Sequence, residues 1–182
     1  MSNYRRFKVS GGTYFITQVT YQREKWLCQD IGRQALREAI LKVKSKYPFS
    51  LDAVVLLPDH FHWIFTLPPD DHDFSVRLRL IKTHVTKHYR NRIDIKRNIS
   101  RSRRQRQEKN LWQRRFWEHL IRDEHDFARH CDYIHYNPVH HGLCISPQDW
   151  TFSTIHRFIQ EGVYPPDWGG SDEITVEDLE CE

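Results

Sequence analysis

His60-Phe61-His62 sits directly behind the apolar run Val54-Val55-Leu56-Leu57-Pro58. Residues i and i+2 of a strand project from one face, so a strand beginning at residue 60 aims both imidazoles at one point. Ile64 and Thr66 extend that face, while Phe61, Trp63, Phe65 and Leu67 make an apolar opposite face fit for a core. Paired imidazoles on a packed strand can begin a metal site. The same pattern also describes two partly exposed, hydrogen-bonded histidines, and the triplet alone does not separate the two.

A second set lies downstream. Across Phe127-Ala128-Arg129-His130-Cys131-Asp132-Tyr133-Ile134-His135-Tyr136-Asn137-Pro138, the residues Phe127, Cys131 and Ile134 recur at i, i+4 and i+7, the core stripe of an amphipathic helix. Tyr133 and Asn137 are four apart and so share one flank of that stripe. Pro138 removes the next helical N–H and disfavours helical geometry at Asn137, which places Asn137 at or near the helix end. A tyrosine beside the core and an asparagine acting as a helix cap fit this spacing as well as a reactive pair does.

Taken in order, these segments resemble a known family. Leu57-Pro58-Asp59-His60-Phe61-His62 is similar to the His-hydrophobe-His (HUH) motif of single-tyrosine transposases, and Tyr133-Ile134-His135-Tyr136-Asn137-Pro138 to their catalytic-tyrosine helix. Tyr4-Arg5-Arg6, Gly11-Gly12-Thr13, Phe116-Trp117-Glu118-His119 and Asp149-Trp150-Thr151-Phe152-Ser153-Thr154 carry the likeness over about residues 1–168, nearest to the REP-associated tyrosine transposases. The resemblance implies a ferredoxin-like α+β nuclease fold and a DNA endonuclease and strand transferase acting on single-stranded or hairpin DNA of the repetitive extragenic palindrome type.

It also implies roles. Tyr133 is the nucleophile, forming a 5′-phosphotyrosine and freeing a 3′-hydroxyl. His60 and His62 hold a divalent ion, with Asn137 offering an oxygen as third ligand. Two imidazoles and an amide do not close a zinc site, and open octahedral positions favour Mg²⁺ or Mn²⁺. Read from their positions, His119 is expected to be structural or to support the ligands from behind, His130, one turn before Tyr133, to lie on the surface rather than to orient the phenol, and His135 to point away from Tyr133. The expected state is a monomer working in cis.

Composition bounds the reading independently. A chain of 182 residues can bury one real core but is too short for a TIM barrel, which removes the amidohydrolase use of His-x-His. A polar, basic N-terminus and the lack of a long apolar run speak against a signal peptide or membrane span. Cys28, Cys131, Cys144 and Cys181 are scattered, as reduced thiols of a cytoplasmic protein would be, with Cys131 in the core. The expected location is the bacterial cytoplasm, at the nucleoid.

The net charge of +4 conceals an asymmetry. Lys96, Arg97, Arg101, Arg103, Arg104, Arg106, Lys109, Arg114 and Arg115 fall in one segment against a single Glu108, whereas residues 171–182 are acidic with no basic residue. Like charges so concentrated point to a polyanion. Trp112, Phe116 and Trp117 follow at once, and arginines beside aromatics suit phosphate contact with base stacking. Arg97, Arg101, Arg103, Arg104, Arg106, Arg114 and Arg115 are therefore the candidate DNA-binding residues.

Periodicity then lays out the elements. It predicts a strand over 13–20, a helix over 30–47, a hairpin of strands 51–57 and 60–67 turned at Pro58-Asp59, and a helix from Phe74 to about Arg92. A further strand over 111–122, the tyrosine helix over 124–137 and a short helix over 153–161 complete the set. Helices packed on one antiparallel sheet make an α+β domain over residues 1–170, with a basic insertion at about 91–111 and a disordered acidic tail over 171–182. Two rival readings stay open: a metal-dependent phosphodiesterase without a covalent intermediate, and a DNA-binding protein that does not cleave.

Overall fold

The computed structural model describes residues 8–93, 101–105 and 110–170. In chain order they form β1 (Thr13–Val19), α1 (Asp30–Lys44), β2 (Ser50–Leu56), β3 (His60–Thr66), α2 (Phe74–Tyr89), α3 (Arg101–Gln105), β4 (Trp117–Leu120), α4 (Glu124–His140) and α5 (Ile155–Gln160). The strands make one antiparallel sheet in the order β2-β3-β1-β4. This is the expected α+β arrangement of helices on an antiparallel sheet. The hairpin turn is also where it was expected, closed by the Leu57 N–H donating to the His60 carbonyl at 2.9 Å.

The pleat of the sheet separates two cores. Tyr14, Ile16, Phe61, Trp63, Phe65 and Leu67 face α1 and α2, meeting Ala35, Leu36, Ala39 and Val43 from one helix and Phe74, Leu78, Ile81 and Val85 from the other. The opposite face carries Phe15, Ala53, Val55 and Ile64 against Cys131, Tyr133 and Ile134 of α4 and Ile155 and Phe158 of α5. Each large side chain withdrawn from water contributes about 1.5–3 kcal/mol. A one-residue slip of β3 would move Phe61, Trp63 and Phe65 to the wrong core together, so the register that positions His60 and His62 is strongly fixed.

The free edge of β2 is covered by the chain entering α5. The Leu56 N–H donates to the Phe152 carbonyl at 2.8 Å and the Thr154 N–H to the Val54 carbonyl at 2.9 Å. This contact occupies hydrogen-bonding groups that would otherwise form an open sheet edge.

Two elements differ from the sequence expectation. The strand predicted over 111–122 forms only at Trp117–Leu120, after an isolated bridge from Thr20 to Trp112. Lys82 of α2 donates to the Gln113 carbonyl at 2.8 Å, and Gln113, Arg114 and Arg115 face solvent, so the ladder is interrupted there. The tyrosine helix does not end at Asn137 but runs through Pro138 to His140. A proline in the last turn forfeits only its own bond, toward Ile134, and Gly142 (φ 64°) supplies the stop. The Gly142 N–H donates to the Val139 carbonyl at 2.8 Å and the Leu143 N–H to Pro138 at 2.8 Å, the paired bonds of a Schellman turn.

Candidate active site between the sheet and the tyrosine helix

His62 lies within β3, its partner across the ladder being Thr17 of β1. The Thr17 hydroxyl and His62 Nδ1 are hydrogen-bonded at 2.7 Å. His60 opens β3, and its Nδ1 meets a carboxylate oxygen of Asp59 at 2.7 Å. Asp59 also accepts from Arg23 at 3.3 Å. Burial opposes ionisation of Asp59, but the bonds from His60 and Arg23 outweigh it and hold its carboxyl below the ordinary value. The turn itself is tied down, the Leu27 N–H donating to the Pro58 carbonyl at 3.0 Å and the Thr20 N–H to that of Asp59 at 2.8 Å. Both histidines are therefore oriented through Nδ1, the usual way in which an imidazole is set to offer Nε2 to a metal ion. Their rings stand 4.9 Å apart and nearly perpendicular.

Neither histidine is partly exposed, as the simpler reading of the triplet requires: His60 is 2% exposed and His62 fully buried. The cover comes from α4. Tyr133 sets its ring 5.2 Å from that of His62, at 81°. Asn137, one turn further along, is 1% exposed, and neither its oxygen nor its nitrogen has a hydrogen-bond partner among the described residues. An amide left so costs on the order of 1–3 kcal/mol. A cation held with His60 and His62 would take up the Asn137 oxygen, so these residues fit a divalent ion.

The residues 8–137 match the family model described as Transposase IS200 like. The chain belongs to the IS200-like transposase family. A REP-associated tyrosine transposase of Escherichia coli K12 is 44% identical over 170 residues, 93% of this chain and 92% of that protein. A solved REP-associated tyrosine transposase bound to a REP hairpin superposes with a TM-score of 0.79 at 42% identity, covering all of this chain and 96% of that one.

In this tyrosine transposase His130 is not on the surface as expected; it is 1% exposed. The spacing held the signal, since His130, Tyr133 and Asn137 stand at i, i+3 and i+7 and form a polar stripe that α4 turns toward the sheet. The His130 ring contacts Phe15 at 4.8 Å. Its Nδ1 bonds the Asp126 carbonyl at 2.8 Å and lies 3.1 Å from the Asp126 carboxylate, which also bonds His119 Nε2 at 2.8 Å. His119, Asp126 and His130 thus bring one ligand atom each within 4.8 Å of one another, a group able in kind to hold a metal. The two rings, however, are parallel, 4.6 Å apart and 16° off plane, so an ion in the plane of one lies outside the plane of the other. The trio forms a hydrogen-bonded clamp between β4 and α4.

His141 was not anticipated. It is exposed and puts its ring 5.2 Å from that of His60, at the C-cap of the tyrosine helix. Of the basic residues, Arg101 is exposed on α3, which also carries Arg103 and Arg104, while Arg114 and Arg115 are exposed ahead of β4. Arg114 donates to the Ser102 hydroxyl at 3.1 Å. Arg97 and Arg106, and the tail over 171–182, lie outside the described residues. On either side of the basic segment Ile93 and Leu111 are buried in the core facing α1 and α2. Among the described residues no helix is long and apolar enough to cross a membrane.

His135 points away from Tyr133 as expected, into a pocket of Phe158, Tyr164 and Trp168. Its Nε2 meets the Thr154 hydroxyl at 2.9 Å and its Nδ1 the Tyr164 hydroxyl at 3.3 Å. Burial, with a smaller push from Arg157, moves it from 6.5 down to about 3. The unfolded chain therefore takes up a proton below pH 6.5 that the folded chain refuses until about pH 3. Stability supplied by neutral His135 is complete above pH 6.5 and lost as pH falls, by up to about 1.4 kcal/mol per pH unit. Urea unfolding at pH 7 and pH 5 is expected to show that loss, and a shallower dependence in His135→Gln. An equal slope in the variant excludes His135 as its source.

Proposed function

We propose that this transposase is a metal-dependent single-strand DNA endonuclease that cuts beside a hairpin-forming repeat through a covalent tyrosine intermediate and can rejoin the strands. The observation that carries the reading is the packing of the Tyr133 ring on His62, with the unsatisfied Asn137 amide one helical turn away. The Tyr133 oxygen attacks the scissile phosphorus; a Tyr–O–P bond forms at the 5′ side, the bond from phosphorus to the 3′ oxygen breaks, the phenol gives up its proton and the 3′ oxygen gains one. A phenol of pKa about 10 leaves more readily than a sugar alkoxide, so a 3′-hydroxyl can later reverse the step without a nucleotide cofactor.

His60, His62 and the Asn137 oxygen would hold Mg²⁺ or Mn²⁺, hard ions that keep open positions for water and phosphate. Bound there, the ion supplies charge neutralisation and orientation of the phosphate. Asp59 and Thr17 hold the two imidazoles, and α4 holds the tyrosine. Because Tyr133 and His62 of the same chain are already in contact, the reading is of a monomer acting in cis. The substrate class, a REP-type hairpin with its single-stranded flank, rests on the relatives and on the exposed arginines around α3 and β4. Residues 1–170 form one nuclease domain in this proposal, with a basic insertion at about 91–111 and an acidic appendage beyond, working at the nucleoid in the cytoplasm.

The test is a labelled single-stranded hairpin oligonucleotide incubated with the protein and Mn²⁺ and run on a denaturing gel. A protein–DNA adduct is expected. Cut DNA with no adduct would replace the reading by a phosphodiesterase, and intact DNA shifted only on a native gel by a binding protein.

A further inference from the structure

Of Trp112, Phe116 and Trp117, which the sequence offers together as stacking residues, the fold keeps only the last at the surface. Trp112 is 5% exposed in the core facing α1 and α2, Phe116 is half-buried against the same core, and Trp117 is 37% exposed. Trp117 opens β4, an edge strand, directly across the ladder from Thr17, whose hydroxyl holds His62. The row Trp117–Thr17–His62 crosses two interstrand gaps, so the tryptophan backbone stands about 10 Å from that of His62. Its ring is on the α4 face, edge-on to Phe15 at 5.5 Å, and Phe15 in turn contacts both His62 and Tyr133.

The indole is also held in one orientation. His119, two residues along the same face, lies parallel to it at 6.0 Å and 10°, and His130 continues the series at 4.6 Å and 16°. The Asp126 carboxylate fixes both imidazoles. An exposed aromatic usually loses rotamer freedom when it binds, whereas this one is set in advance by a stacked column. Arg114 and Arg115, both exposed, precede it in the chain and supply cations suited to a phosphate backbone.

We propose that Trp117 is the stacking platform for an unpaired base of the single-stranded DNA next to the scissile phosphate, adding the next ring to the column Trp117–His119–His130. The inference rests on the DNA-cleaving reading above. It extends that reading from the reacting atoms to the strand that must be threaded past them. Stacking tolerates any base, so this contact positions the strand and leaves sequence choice to other residues.

The experiment is fluorescence anisotropy of a hairpin with a single-stranded flank, in three forms: intact, abasic at each flank position in turn, or carrying 2-aminopurine there. Trp117→Ala is expected to weaken binding by about 5- to 150-fold, the range for one stacked base, with the slope of affinity against salt unchanged because no phosphate contact is lost. Trp117→Tyr should recover most of that loss. One abasic position should weaken wild-type binding as Trp117→Ala does and add nothing in Trp117→Ala, and 2-aminopurine there should be quenched by the wild type alone. Wild-type affinity in Trp117→Ala, or abasic losses that add fully to the mutation at every position, overturns the platform. Thermal unfolding of the variant separates lost stacking from lost fold. Absence of the covalent adduct in the wild type would count against the cleavage reading instead, since anisotropy does not depend on cleavage.

Discussion

Tyr133→Phe is expected to abolish both cleavage and the covalent adduct while leaving the fold, metal affinity and hairpin binding close to wild type. The change removes one oxygen from a ring whose packing against His62 and Phe15 is otherwise kept. Its effect on stability should stay within about 1 kcal/mol. The effect on chemistry should be a loss of several orders of magnitude, because removing a nucleophile ends the pathway rather than slowing it. Tyr136, the other tyrosine on the helix, points about 60° away from the Tyr133 direction and is half-buried. A gel showing wild-type adduct in Tyr133→Phe would transfer the nucleophile to Tyr136. Loss of adduct together with loss of manganese binding would mean that the substitution disturbed the site and not just the attack.

The parts of this site that were legible in the sequence are those governed by short, regular periods. The alternation from His60 to Leu67 fixes which face each side chain takes, and Pro58-Asp59 fixes the turn that makes a hairpin of two apolar runs. The four-residue spacing of Tyr133 and Asn137 sets both on one side of a helix. What the sequence left unread depends on contacts between distant segments. The spacing sets His130 on the stripe of Tyr133 and Asn137, but how deeply that stripe is buried follows from the docking of α4 on the sheet, where Phe15 receives it. The clamp of His119, Asp126 and His130 joins β4 to the first turns of α4 and exists only once β4 pairs with β1. The helix end lies beyond the position Pro138 indicates for a different reason. Pro138 is a strong local signal, but the Schellman turn at Gly142 is a stronger one because it satisfies the last carbonyls of α4.

The same distinction explains why both faces of β3 are buried. An alternating strand on a one-sided sheet would leave His60 and His62 open to water. Here α4 and α5 cover that face, and buried imidazoles need partners that exposed ones find in solvent. Asp59 and Thr17 supply them at Nδ1. The polar atoms on this face are therefore held in a dry setting, where the attraction between a cation and a phosphate is stronger than in water.

That arrangement leads to a graded expectation for the metal. His60→Ala or His62→Ala should abolish cleavage, and Mn²⁺ affinity read by calorimetry or electron paramagnetic resonance should fall with it, because each removes a ligand that no neighbour on β3 replaces. Thr17→Val keeps both ligands and removes only the hydroxyl that orients His62, so Mn²⁺ affinity should drop about 10- to 100-fold, the range for groups that hold a ligand from behind. Excess Mn²⁺ should restore cleavage in Thr17→Val but not in His62→Ala. The gradient matters because an alanine at a fully buried position also leaves a cavity, and a cavity alone can destabilise the sheet. Thr17→Val is nearly isosteric, so its loss of affinity cannot be assigned to missing volume. Normal cleavage by both histidine variants in the presence of EDTA would remove the metal from the reaction. A Thr17→Val protein with unchanged Mn²⁺ affinity would show that the Thr17–His62 hydrogen bond serves the fold alone, leaving the ligand role of His62 to the alanine variant.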